Sequence, residues 1–107
     1  MQAKIGTMAT PTKLTDSEIQ SALAELPGWT LADGKLHREY RFADFIHAFG
    51  FMATAAIAIE AYGHHPEWFN VYNQVRIDLT THDAGGITAK DTEMAAKLES
   101  IAQKLQS

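Results

Sequence analysis

Three of the five histidines fall inside one stretch, GHHPEWFNVYNQVRIDLTTHD, at positions 64, 65 and 82. Imidazole is the side chain whose ordinary pKa lies closest to neutral pH, so such a group suits donating a proton to a leaving group while removing another proton elsewhere. Glu60 stands four residues before His64, which at the end of a helix would put carboxylate and imidazole on one face, one orienting the other. His65 precedes Pro66 and is forced into an extended conformation, so its ring points away from that of His64. His82 closes a strand-like run and is followed by the turn Asp83-Ala84-Gly85-Gly86. Nucleophilic catalysis finds little material: there is no cysteine, and no serine between Ser21 and Ser100. Glu60, His64, His65 and His82 include metal-ligand types, but the adjacent histidines diverge and no His pair at i, i+4 is present, so no metal is expected. Each residue also has a structural reading. His64 can complement a helix dipole, His65 can sit in an exposed turn, Asp91 can cap a helix, and Trp29 and Trp68 can simply pack.

These residues need elements to hold them. Thr15 and Glu18 form a capping-box pattern before a short amphipathic helix with Ile19, Leu23 and Leu26, ended by Pro27-Gly28. Two strands follow around Asp33-Gly34, a strong hairpin signal, and the return strand alternates Leu36, Arg38, Tyr40 and Phe42 against a polar set. Asp44 caps a long apolar helix whose stripe is expected at Phe45, Phe49, Met52, Ala53, Ala56 and Ile57, stopping at Tyr62-Gly63. Residues 70–82 read as one long strand with Val71, Val75, Ile77 and Leu79 on its core face. Thr88 and Asp91 repeat the capping pattern before a last helix carrying Met94, Ala95, Leu98, Ile101, Ala102 and Leu105. Hairpins mixed with helices indicate an α+β domain: an antiparallel sheet covered by helices on one face.

Composition narrows the function classes. The 107 residues suffice for one domain without disulfides or a structural metal, and 46% are apolar. A net charge of −4 argues against nucleic acid or an anionic membrane surface as main partner. No apolar run is expected to reach a membrane span, and the N-terminus lacks the apolar core of a signal peptide, so a soluble cytoplasmic protein is expected. Residues 1–13 read as a disordered tail and 14–107 as the single domain.

The pattern Glu60, His64-His65-Pro66, Tyr72, His82, Asp91, with the blocks AFGFM and HHPEWFNVYN, resembles the pterin-4a-carbinolamine dehydratases from Trp29 to about Asp91. The resemblance implies a four-stranded antiparallel sheet with about three helices on one face. It implies dehydration of 4a-hydroxytetrahydropterin, the product of pterin-dependent aromatic amino acid hydroxylases, to quinonoid dihydropterin, as a step of tetrahydrobiopterin recycling without a cofactor. It further implies His64 and His82 as proton-transfer groups, with His65 mainly holding the pterin and the roles of the three overlapping. Pro66 would shape one pocket wall, and Thr81, His82 and Asp83 the opposite one, offering backbone groups to the pterin. Glu60 would orient His64, Trp29 would close the pocket, and Asp91 would support from behind or cap its helix. Relatives form homodimers or homotetramers, and animal members also serve as a dimerisation cofactor of a transcription activator, so a protein-binding scaffold is the second reading.

Overall fold

The computed structural model describes residues 11–106. The disordered tail expected for residues 1–13 lies mostly outside that range. Pro11–Lys13 have no regular structure, and the Leu14 N–H donates to the Ile87 carbonyl, 2.8 Å away, at the start of the domain.

The described residues form three helices and four strands: α1 (Asp16–Ala24), β1 (Thr30–Ala32), β2 (Lys35–Arg41), α2 (Phe45–Tyr62), β3 (Glu67–Val71), β4 (Gln74–Leu79) and α3 (Ala89–Gln106), with a 3-10 turn at His82–Ala84. The strands form one antiparallel sheet in the order β1-β2-β4-β3. Local chemistry accounts for most boundaries. Thr15 and Glu18 exchange the two hydrogen bonds of a capping box, Asp44 accepts from the His47 N–H, and Gly63 ends α2 in the left-handed conformation (φ 82°) that other residues adopt only with strain. The β1–β2 turn has positive φ at both Asp33 and Gly34, the geometry that matches the twist of a tight hairpin.

The core lies between the helix layer and one sheet face. Leu36 and Tyr40 of β2, Val75, Ile77 and Leu79 of β4, Phe51 and Ala55 of α2, and Met94, Ala95 and Leu98 of α3 are fully enclosed. Burying each large apolar side chain contributes about 1.5–3 kcal/mol. The other sheet face remains open, with charged side chains beside the exposed Phe69 and Val71.

Two expectations are corrected. The run 70–82 is not one strand: Tyr72 and Asn73 make a two-residue turn between β3 and β4, with Tyr72 at φ 49°. Asn70 and Asn73 hold it, donating from their amides to the carbonyls of Tyr72 and Gln74, and of Phe42, respectively. The turn resets the register, so Val71 leaves the core face and becomes exposed. On α2 the buried stripe is Ala48, Phe51, Ala55 and Ile59, rather than the stripe expected from Phe45 to Ile57. An almost wholly apolar helix offers several faces to a core, and only tertiary packing selects one. Contrary to the expectation that no apolar run reaches a membrane span, that helix also has the length and mean hydropathy, 1.4 over 18 residues, to cross a membrane by those criteria alone. Its buried face packs against α3 and β4 within the domain.

Candidate active site

His64 is the best-defined of the candidate side chains. Because Gly63 turns the chain out of the helix, His64 leaves the face that carries Glu60 and reaches α3 instead. Its Nε2 lies 2.6 Å from Oδ1 of Asp91. Asp91 is fully buried. Its other oxygen, Oδ2, accepts from the Thr88 backbone N–H at 2.9 Å and from the Thr81 hydroxyl at 2.8 Å. Since the Thr81 hydroxyl donates to Asp91, the Thr88 hydroxyl, 2.9 Å away, must donate to Thr81, while itself accepting from the Lys90 N–H. Every donor in this network therefore points toward Asp91. His64 completes the set by donating from Nε2, which leaves Nδ1 as the ring atom that can take up or release a proton. Capping and support coincide in Asp91, which satisfies the start of α3 and fixes the tautomer of His64 with the same carboxylate.

The expected pairing of Glu60 with His64 is thus replaced. Glu60 accepts from His65, whose Nε2 lies 3.1 Å from Oε1, and both groups are exposed. The i, i+4 rule holds only while the helix continues, and here it ends at Tyr62, two residues before His64. His65, Pro66, Glu60 and Trp68 line a cleft of about 300 Å³.

His82 lies in the loop 81–86, closed by the Thr81 N–H donating to the Gly86 carbonyl and the Gly86 N–H donating back. Its side chain is 83% exposed and borders a second cleft of about 320 Å³ with Lys35, Thr80 and Gly85. Its Nε2 is 3.7 Å from Oε2 of Glu67. All three histidines therefore turn Nε2 toward a carboxylate of their own, and no carboxylate is shared. His65 and His82 open onto different clefts. Asp83 is exposed in the same loop. Among the described residues no three His, Asp or Glu side chains converge as a metal site would require.

Two further placements depart from expectation. The Thr81 main chain is occupied by Gly86 and Ala84 and its hydroxyl by Asp91, so Thr81 supports the site and does not offer its backbone to a ligand. Trp29 lines neither of these two clefts. It is buried in the core, edge-on to Tyr40, and its indole N–H donates to Glu99, which lies about 12 Å along α3 from Asp91 at 1.5 Å per residue. A large ring next to the sheet gains more from enclosure than from a rim position. Glu67, Lys35 and Thr88, absent from the expected site, join it through strand register and the α3 cap.

Residues 12–101 match the family described as pterin 4 alpha carbinolamine dehydratase. The chain belongs to that family. A relative from Solibacter usitatus, which carries the provisional name pterin-4-alpha-carbinolamine dehydratase, is 71% identical over 91 residues, covering 85% of this chain and 96% of its own. The crystal structure of a transcriptional coactivator/pterin dehydratase from Brucella melitensis is similar at a TM-score of 0.82 and 48% identity, covering 85% of this chain and 99% of that one. A pterin dehydratase-like protein described as a RuBisCO assembly factor in the alpha-carboxysome shares the fold at a TM-score of 0.58 and 20% identity, over 69% of this chain and 86% of that one. The family match covers the His64–Asp91 pair, both clefts and the loop that carries His82.

Proposed function

We propose that this protein dehydrates a 4a-hydroxytetrahydropterin to the quinonoid dihydropterin by histidine acid-base catalysis. The observation that carries this reading is the His64–Asp91 pair: an imidazole fixed by a buried carboxylate and left with one free nitrogen, in a chain of the carbinolamine dehydratase family. In the reaction the C4a–O bond breaks, the hydroxyl leaves as water after gaining a proton, and N5 loses its proton as the C4a–N5 double bond forms. In this reading Nδ1 of His64, with Nε2–H held by Asp91, acts as the base for N5. His82 supplies the proton to the departing hydroxyl, which requires the pterin to reach from the cleft lined by His65 to the one bordered by His82. His65 and Pro66, beside Trp68, form the wall against which the pterin rests. The substrate would come from a pterin-dependent hydroxylase, which leaves oxygen on C4a.

The test is the rate of quinonoid product formation from freshly generated 4a-hydroxytetrahydropterin. The wild type should accelerate it strongly, and a His64→Ala/His82→Ala variant should lose about 100-fold or more of that turnover while remaining folded. Near-wild-type turnover in the double variant would overturn the assignment.

A second reading concerns assembly, and α2 favours it. Ile46 and Ile57 are 77% and 74% exposed, with Phe45 and Phe49 also open to solvent. Between Asp44 and Glu60 the only ionisable side chain is His47. We propose that a second copy of this chain covers this face, because an apolar helix packed on its own antiparallel copy meets no opposing like charges. Sedimentation should show an oligomer that Phe49→Glu/Ile57→Glu dissociates; a wild-type monomer would leave the face to a different protein, as a coactivator role requires.

A further inference from the structure

We infer that Glu67, anchored by Lys35, is the positioning carboxylate of His82. The inference rests on the dehydratase reading above for its catalytic consequence, though not for the contact itself. His82 needs such a partner. It ends a loop, its side chain is exposed, and no other carboxylate among the described residues is paired with it. An imidazole with no partner samples several ring orientations and both tautomers, and only a fraction of these present a proton to a substrate.

Glu67 is built to supply the constraint. It is the first residue of β3, directly after Pro66, so the same chain segment that carries His64 and His65 sends a carboxylate toward the loop carrying His82. Successive strand residues point to opposite faces, so Trp68 lines the His65 cleft while Glu67 crosses to the side of His82. The two oxygens divide the work. Oε1 accepts from the Lys35 ammonium at 2.7 Å, and Oε2 faces Nε2 of His82 at 3.7 Å. Lys35 comes from β2, beside the Asp33-Gly34 turn, and borders the cleft that His82 enters. The hydrogen bond to Glu67 holds the Lys35 ammonium above the ordinary lysine pKa, with smaller contributions from the charges of Asp78 and Asp33. Lys35 thus stays charged and keeps the carboxylate from rotating away. Because Nε2 faces Glu67, Nδ1 of His82 is the atom left to the cleft. That repeats the arrangement of His64 on Asp91.

An exposed Lys–Glu pair adds little to stability, so the variants should fold. Glu67→Gln should lower kcat about threefold to tenfold with little change in KM, the range for one exposed charge acting through one side chain. Glu67→Asp should recover part of the loss, and Lys35→Met should produce a smaller loss in the same direction. In a His82→Ala background, Glu67→Gln should cause no further loss. A multiplicative loss in that background, or an unchanged kcat in a folded Glu67→Gln protein, overturns the proposal. The imidazole ¹⁵N shifts of His82 read the contact without turnover: Nε2 should move in Glu67→Gln, and an unmoved signal overturns the contact even in active protein. If the wild type shows no dehydratase activity but Nε2 moves, the functional reading fails and the positioning contact stands.

Discussion

Asp91 and Glu99 sit on the same helix, α3, both collect several donors, and they serve different ends. Oε1 of Glu99 accepts from the Trp29 indole and the Tyr40 hydroxyl, and lies 3.5 Å from the Arg38 guanidinium. Burial pushes the Glu99 carboxyl up, but the hydrogen bonds from Tyr40, Gln103 and Trp29 and the charge of Arg38 outweigh it and hold the group below the ordinary glutamate value. Burial and the same carboxylate drive the Tyr40 hydroxyl well above the usual tyrosine value. None of these donors exchanges a proton near neutral pH, so the cluster is a fastener between α3, β2 and the segment before β1. Asp91 has a hydroxyl, a backbone N–H and one imidazole. The last is an imidazole, the side-chain type suited to proton exchange near neutral pH, and it stands directly before His65, which lines a cleft. A buried carboxylate ringed by donors is therefore no sign of chemistry by itself; the identity and access of its partner decide.

The sharpest way to break this comparison is to neutralise each carboxylate without changing its shape. Asp91→Asn presents an amide N–H to His64, reversing the tautomer, and should cost about 100-fold in turnover while the protein stays folded. Glu99→Gln should instead destabilise the fold by about 1–3 kcal/mol in urea melts and leave the turnover of folded molecules within about twofold. Equal turnover losses in the two variants would mean that both act only through stability.

His37 refines the same point from the open sheet face. Its Nδ1 lies 2.8 Å from Asp78 and its Nε2 3.1 Å from Glu39. The hydrogen bond to Asp78, then that to Glu39, raises its pKa above 6.5 against the opposing effect of burial. A raised folded-state pKa means that this contribution to stability is complete below about pH 6.5 and is lost as pH rises through the higher folded value. Denaturant midpoints measured from pH 6 to 9 should show a decline that His37→Gln lacks, by well under about 1 kcal/mol for a partly solvated pair. Turnover of His37→Gln should match wild type; a loss there would make an imidazole–carboxylate pair sufficient without a cleft. The smallest expected effect is that of exhaustive chelation, which should leave turnover unchanged, whereas a loss restored by zinc would replace proton transfer by metal chemistry.

Much of this molecule is legible before folding. The capping patterns at Thr15–Glu18 and Thr88–Asp91, the Asp33-Gly34 turn, and Asp44 and Gly63 at the ends of α2 are local features whose partners lie within a few residues. For the same reason the α+β class and the histidine segment could be read directly. The β3–β4 hairpin was not, because Tyr72 occupies the left-handed turn position where glycine is the usual signal, and the alternation of Val71 and Val75 runs straight through it. The buried side of α2 was also illegible, since nearly all its faces are apolar.

The chain's own order determined which side chains are present and where its elements start and stop. Tertiary structure alone decided that His64 pairs with Asp91, that Glu60 goes to His65, that Glu67 meets Lys35 and His82, and that Trp29 belongs with Glu99. The physical reason is range: caps and turns are settled by backbone groups a few residues apart, whereas the partner of a side chain beyond the end of its helix depends on which distant element packs beside it.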